Sequence, residues 1–91
     1  MSAWEIIPSK KFTKDLARMQ MRGGDVVNAH EIIEHLRIHG QAAPSSRPHK
    51  LRGEWTGYWE CHIGFDWLLV YTITPKKIIL WRTGTHEDLF G

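Results

Sequence analysis

Three histidines in the C-terminal half, His49, His62 and His86, stand with Asp66 and Arg82 as the residues best suited to carry chemistry. Histidine takes up and releases protons near neutral pH, its unperturbed pKa being about 6.5. Arginine presents a fixed fork of N–H donors that fits a phosphate or a phosphorane. These are the groups that metal-independent RNA cleavage needs. RNA supplies its own nucleophile, the 2′-hydroxyl. A base must take that proton, an acid must protonate the leaving 5′-oxygen, and cations must stabilise the phosphorane. Zinc binding by the same three histidines is the competing use, and the neighbouring cation Arg82 argues against it. Arg47, Lys50 and Arg52 lie on the approach and suit backbone phosphates, or simple solvation. Trp67 and Phe90 neighbour the cluster and offer faces on which an unpaired base can stack.

The elements that must position these groups follow from apolar spacing. Trp4 to Ile7 reads as an opening strand ended by Pro8, and Ser9 can cap the next segment. Phe12, Leu16 and Met19 recur at helical spacing until Gly23-Gly24 stops the helix. Asp25 can cap a second helix, whose stripe is Val26, Ala29, Ile33 and Leu36, with Gly40 as its stop. Gln41 to Lys50 is a Pro- and Ser-bearing loop. Tyr58–Ile63, Trp67–Thr74 and Ile78–Arg82 read as strands, with Pro75-Lys76-Lys77 turning between the last two. This order predicts an α+β domain, an N-terminal strand and helical hairpin packed on a small antiparallel β-sheet. His62 and Asp66 flank the Gly64-Phe65 connection at one end of a hairpin. The long hairpin from Trp67 to Arg82 returns Arg82 toward that same end, and Gly84 lets the chain bring His86 back.

The remaining histidines, His30, His35 and His39, fall on or near the second helix and read as surface residues. His35 and His39 are spaced i,i+4, as in helical metal sites, but no third ligand follows them. Trp55, Trp59 and Trp81 read as core or half-exposed sheet residues. The 91 residues suffice for one domain, 1–91, with one core. Hydrophobic content of 42% and charged content of 24% are those of an ordinary globular protein. A net charge of +2 leans only slightly toward a polyanionic partner. The single cysteine, Cys61, excludes an internal disulfide and fits a reducing compartment. No apolar run approaches the roughly 20 residues of a membrane span, and Met1-Ser2-Ala3-Trp4-Glu5 does not open like a signal peptide. A cytoplasmic location without membrane contact is expected.

The tail Arg82-Thr83-Gly84-Thr85-His86-Glu87-Asp88-Leu89-Phe90-Gly91 resembles the C-terminal signature of YafQ-type toxins of the RelE superfamily. So does His49-Lys50-Leu51-Arg52-Gly53-Glu54-Trp55-Thr56-Gly57-Tyr58, followed by Cys61-His62 and Asp66-Trp67. Lys50 departs from the proline expected beside His49. The resemblance spans nearly the whole chain and implies a RelE-like fold and a toxin of a type II toxin–antitoxin pair. Such toxins enter the ribosomal A site and cut the mRNA there, arresting translation. By this similarity His49 or His62 helps deprotonate the 2′-hydroxyl, and His86 with Asp66 assists protonation of the leaving group. Arg82 stabilises the phosphorane, while Trp67 and Phe90 shape a base pocket. The implied products are a 2′,3′-cyclic phosphate and a 5′-hydroxyl, formed without metal or other cofactor. The implied partners are the ribosome and mRNA, a DinJ-like antitoxin, and operator DNA for the toxin–antitoxin complex. Two alternatives remain at this point: a ParE-like gyrase inhibitor, not expected to carry these histidines, and a nonenzymatic RNA-binding translation regulator.

Overall fold

Ser9 converts an edge strand into a helix. The strand β1 (Glu5–Pro8) ends on a proline, which cannot donate to a ladder. The Ser9 hydroxyl then accepts from Phe12 N–H at 2.9 Å and opens α1 (Lys10–Met21). Asp25 caps α2 (Val26–His39) in the same way, and Gly40, at φ 69°, closes it in the left-handed conformation. Thus the computed structural model, which describes residues 3–91, contains the helical hairpin that the apolar spacing predicts. Met1 and Ser2, where the reading of a leader-free start begins, lie outside the described residues.

Beyond the hairpin come β2 (His49–Lys50), β3 (Trp59–Gly64), β4 (Trp67–Ile73), β5 (Lys77–Gly84) and a final short helix, α3 (His86–Phe90). They form one five-stranded sheet in the order β1-β5-β4-β3-β2. The three predicted C-terminal strands pair antiparallel, as expected. The sheet is nonetheless mixed, because β1 adds to β5 in parallel, Glu5 facing Lys77 and Pro8 facing Leu80. Both edges are short, which limits edge-to-edge association. The α+β class stands. What the spacing did not disclose is the two-residue β2 and the helical state of the tail.

Side chains of the sheet alternate between two covered faces. Cys61, Ile63, Trp67, Leu69, Tyr71, Ile78 and Leu80 meet Phe12, Met19, Ala29 and Leu36 of the helices. Leu68 and Val70 point the other way and are covered by Leu89 of α3, with Leu51, Trp55, Tyr58 and Trp81 around them. This is why β4 is buried continuously from Trp67 to Tyr71. Among the described residues, no helix is long and apolar enough to cross a membrane.

Candidate active site

Register across the sheet aligns the chemistry-bearing residues in two adjacent rows on the face away from α1 and α2. One row runs His49, Glu60, Val70, Arg82. The next runs His62, Leu68, Gly84, with His86 two residues beyond. Directly opposed residues of neighbouring strands share a face, so β2 presents His49 and β3 presents His62 to the same side.

The hairpin between β3 and β4 supplies Asp66. Its Oδ1 accepts from the His86 ring Nδ1 at 2.8 Å and from the His86 backbone N–H at 3.1 Å. One carboxylate thus docks the first residue of α3 and sets the tilt of its ring. The bond also fixes which nitrogen is free, since Nδ1 is occupied and Nε2 is turned outward. His86, through these two bonds, holds the Asp66 carboxyl below the ordinary carboxylate range. The ring of His62 lies 6.4 Å from that of His86, centroid to centroid.

The helix carrying His86 is fixed at its start. Thr85 and Asp88 form a reciprocal capping box, and Arg22, the C-cap of α1, donates to both Asp88 oxygens, at 2.7 and 3.3 Å. This side-chain bonding to Arg22 depresses the Asp88 carboxyl far below its ordinary range. Gly84 precedes the cap because a Cβ there would stand 3.0 Å from the Asp88 side chain.

Arg47 links the two other histidines. Its guanidinium lies 3.4 Å from His62 Nδ1, and its carbonyl 3.4 Å from His49 Nδ1. His49 Nε2 in turn lies 3.2 Å from Oε1 of Glu60, a carboxylate only 5% exposed. Partial burial, then the charge of Arg47, lowers the His62 pKa, so its ring stays neutral to lower pH than a free imidazole. Arg82 reaches across the edge of β5 to Asp15 of α1, with Nε–Oδ2 at 2.6 Å and Nη2–Oδ1 at 3.2 Å. That bonding raises the pKa of a group that is already cationic at any physiological pH.

Register therefore sets His49, His62 and Arg82 on one face, and the Asp66–His86 pair joins His62 there. Arg47 bridges the two strand histidines, while the Arg82 guanidinium turns over the sheet edge toward α1. Arg52 is exposed just after β2; Lys50, the second residue of β2, alternates away from His49, its ammonium lying over the ring of Trp59 on the helix side at 5.6 Å. Phe90 is 42% exposed and packs edge-on against Trp55 at 5.3 Å. Trp67 is a correction. Its position beside Asp66 suggested a stacking ring, but strand alternation turns it to the helix side, where it is 5% exposed. There its indole N–H donates to Thr83 Oγ1 at 2.7 Å, and its ring fills the space a side chain at Gly24 would need. Two further residues belong to the site's frame, Glu60 and Asp15. The even-numbered alternation with His62 would have found Glu60; nothing local to α1 points to Asp15. Among the described residues, no group of three or more His, Cys, Asp or Glu side chains is arranged to hold a metal ion.

The family model described as "Bacterial toxin of type II toxin-antitoxin system, YafQ" matches residues 4–91. The chain belongs to the YafQ toxin family. It is 34% identical over 84 residues to the mRNA interferase toxin YafQ of Escherichia coli strain K12, covering 91% of each chain. The crystal structure of the E. coli DinJ–YafQ toxin–antitoxin complex superposes with a TM-score of 0.88 at 33% identity, covering 98% of this chain and 99% of that one. A metal-bound toxin from Helicobacter pylori is similarly close, with a TM-score of 0.85, 35% identity and coverage of 96% and 99%. This YafQ-family fold agrees with the RelE-like architecture that the C-terminal signature implied.

Proposed function

We propose that the chain is a ribosome-dependent endoribonuclease that cuts mRNA in the ribosomal A site and so inhibits translation. The observation that carries this reading is the convergence of His62 and the Asp66–His86 pair within 6.4 Å, beside Arg47 and in the row next to Arg82. A neutral His62 is suited to accept the 2′-hydroxyl proton. A substrate phosphate competes for Arg47 and frees His62 Nδ1 for that task, while His49, held by Glu60, supports it. An imidazolium at His86, oriented by Asp66, donates from Nε2 to the leaving 5′-oxygen. Arg82 and Arg47 stabilise the phosphorane. Exposed Arg52 binds a flanking phosphate, Lys50 reaches RNA only around the short edge strand, and Phe90 contacts a base. Attack by the 2′-hydroxyl leaves a 2′,3′-cyclic phosphate and a 5′-hydroxyl, with no metal in the step.

The presence of DinJ with YafQ in the E. coli complex supports a DinJ-like antitoxin as the partner in the cytoplasm. Binding of operator DNA by the assembled pair is part of the same proposal. Mapping RNA 5′ ends after induced expression tests the function: cuts in phase with codons are expected, carrying 5′-hydroxyls. His62→Ala and His86→Ala are expected to abolish these cuts in folded protein. Wild-type cutting by both would refute the site. Cutting lost on chelation and restored by zinc would refute the metal-free step.

A further inference from the structure

We infer that Asp15 is a positioning residue for this reaction, its buried carboxylate on α1 locking the Arg82 guanidinium in a fixed plane; the inference rests on the mRNA-cutting function proposed above. Asp15 is only 3% exposed, and an unpaired carboxylate at such depth is strongly disfavoured. It is fully engaged instead. Oδ2 accepts from Arg82 Nε at 2.6 Å and from Thr83 N–H at 3.2 Å. Oδ1 accepts from Arg82 Nη2 at 3.2 Å and from Arg18 Nη2 at 2.9 Å.

The reason for a side chain here lies in the sheet. β1 ends at Pro8, opposite Leu80, so β5 has no strand neighbour on that side from Trp81 onward. The cap of α1 and a side chain midway along it stand in for the missing strand. Ser9 Oγ donates to the Trp81 carbonyl at 2.8 Å, and Asp15 takes the Thr83 N–H. A neutral amide would satisfy Thr83 equally well. The negative charge matters for the arginines, and chiefly for Arg82, which it grips in the bidentate fork geometry.

This grip occupies one edge of the guanidinium and leaves Nη1, with the outer hydrogen of Nη2, for a phosphate. Arg82 then meets its substrate already oriented, without ordering a long side chain at the moment of reaction.

The test measures mRNA cleavage on programmed ribosomes by purified protein, with circular dichroism confirming folding at the assay temperature. Asp15→Asn is expected to slow cutting at saturating ribosomes at least tenfold, while the KM for ribosomes changes less than twofold. In an Arg82→Ala background the same substitution is expected to change the rate less than twofold, because the two losses act through one group. A merely structural Asp15 would slow both backgrounds by the same factor, and that result overturns the inference. So does a folded Asp15→Asn that cuts at the wild-type rate. If Asp15→Asn does not fold, Asp15→Glu keeps the charge but displaces the fork, and is expected to slow cutting likewise; full activity of folded Asp15→Glu overturns the inference. Wild-type protein that cuts no RNA would instead refute the function itself.

Discussion

Removing one hydroxyl, that of Thr83, tests whether Trp67 serves the frame or the substrate. Thr83 is completely buried and Trp67 nearly so. The Thr83 hydroxyl accepts from the indole N–H at 2.7 Å and donates to the Leu68 carbonyl at 2.6 Å. Thr83→Val keeps the shape and removes both partnerships. A buried N–H left without an acceptor costs about 1–3 kcal/mol, and loss of the bond to the carbonyl adds about 1 kcal/mol. The expected destabilisation is therefore about 2–4 kcal/mol. In a domain this small each kcal/mol lowers Tm by about 4–8 °C, so Thr83→Val should melt at least about 8 °C below the wild type. Adding Trp67→Phe removes the orphaned donor, and the double variant should recover about 1–2 kcal/mol relative to the sum of the single losses. Urea and thermal unfolding followed by circular dichroism measure each corner of this cycle. A Thr83→Val loss below about 0.5 kcal/mol, a size typical of uncoupled surface changes, would refute the reasoning. Activity gives a second arm. Folded Trp67→Phe should cut RNA within a few-fold of wild type, and a hundredfold loss would put its ring back against the substrate.

Acidification should reduce cutting with a midpoint below about 6.5, the ordinary histidine value, because burial and Arg47 both disfavour charging of His62. Arg47→Gln should move that limb upward; an unmoved limb in a pH–rate profile speaks against His62 as the base. The same depressed pKa means that the unfolded chain binds the proton more readily, so His62's effect on stability is felt only as pH falls through the histidine range. Asp88, held low chiefly by Arg22, contributes stability above the unfolded carboxylate pKa that fades below about pH 4. The stability gap between wild type and Asp88→Asn should accordingly narrow from pH 5 to pH 2 in urea titrations. Gly40→Ala should destabilise the fold by at least about 1 kcal/mol, because φ is +69° there and the new Cβ would meet the Trp4 ring at 2.5 Å. Cys61, whose thiol burial pushes up to about 12, should resist iodoacetamide until the protein is unfolded.

Local signals in the sequence were clear wherever one element decides the outcome. Ser9, Asp25 and Gly40 mark helix ends by chemistry that acts within four residues, and all three act there. The Trp67–Arg82 hairpin returns Arg82 to the Trp67 end, as a short turn requires. Its face is set by a bulge beyond Leu80, which places Arg82 opposite Val70 rather than Leu69, and nothing local in the sequence announces that bulge. Long-range partners left no such trace. Asp15 is an unremarkable acidic residue in α1 until β5 arrives beside it, 67 residues later in the chain. The parallel pairing of β1 joins residues 5–8 to residues 77–80, too far apart in sequence for any local signal to mark it. At Trp67, nearness in sequence to Asp66 masked the strand alternation that turns neighbouring side chains to opposite faces. The tail was legible as a signature but not as a helix, since five residues form one only with the capping box and the apolar seat under Leu89.

The site is stitched together from both ends of the chain. Ser9 and Trp81 meet across 72 residues, and Asp15 and Arg82 across 67. Contacts of such span close long loops, at an entropic cost that slows folding. A chain still emerging during its own synthesis has α1 but neither β5 nor α3, and hence no Arg82, no His86 and no edge for Asp15 to bind. The Asp15–Arg82 and Asp66–His86 pairs exist only after the last strand and helix are made. Under the function proposed above, synthesis thereby imposes a delay, since the groups that would cut RNA converge only once the chain has passed α3.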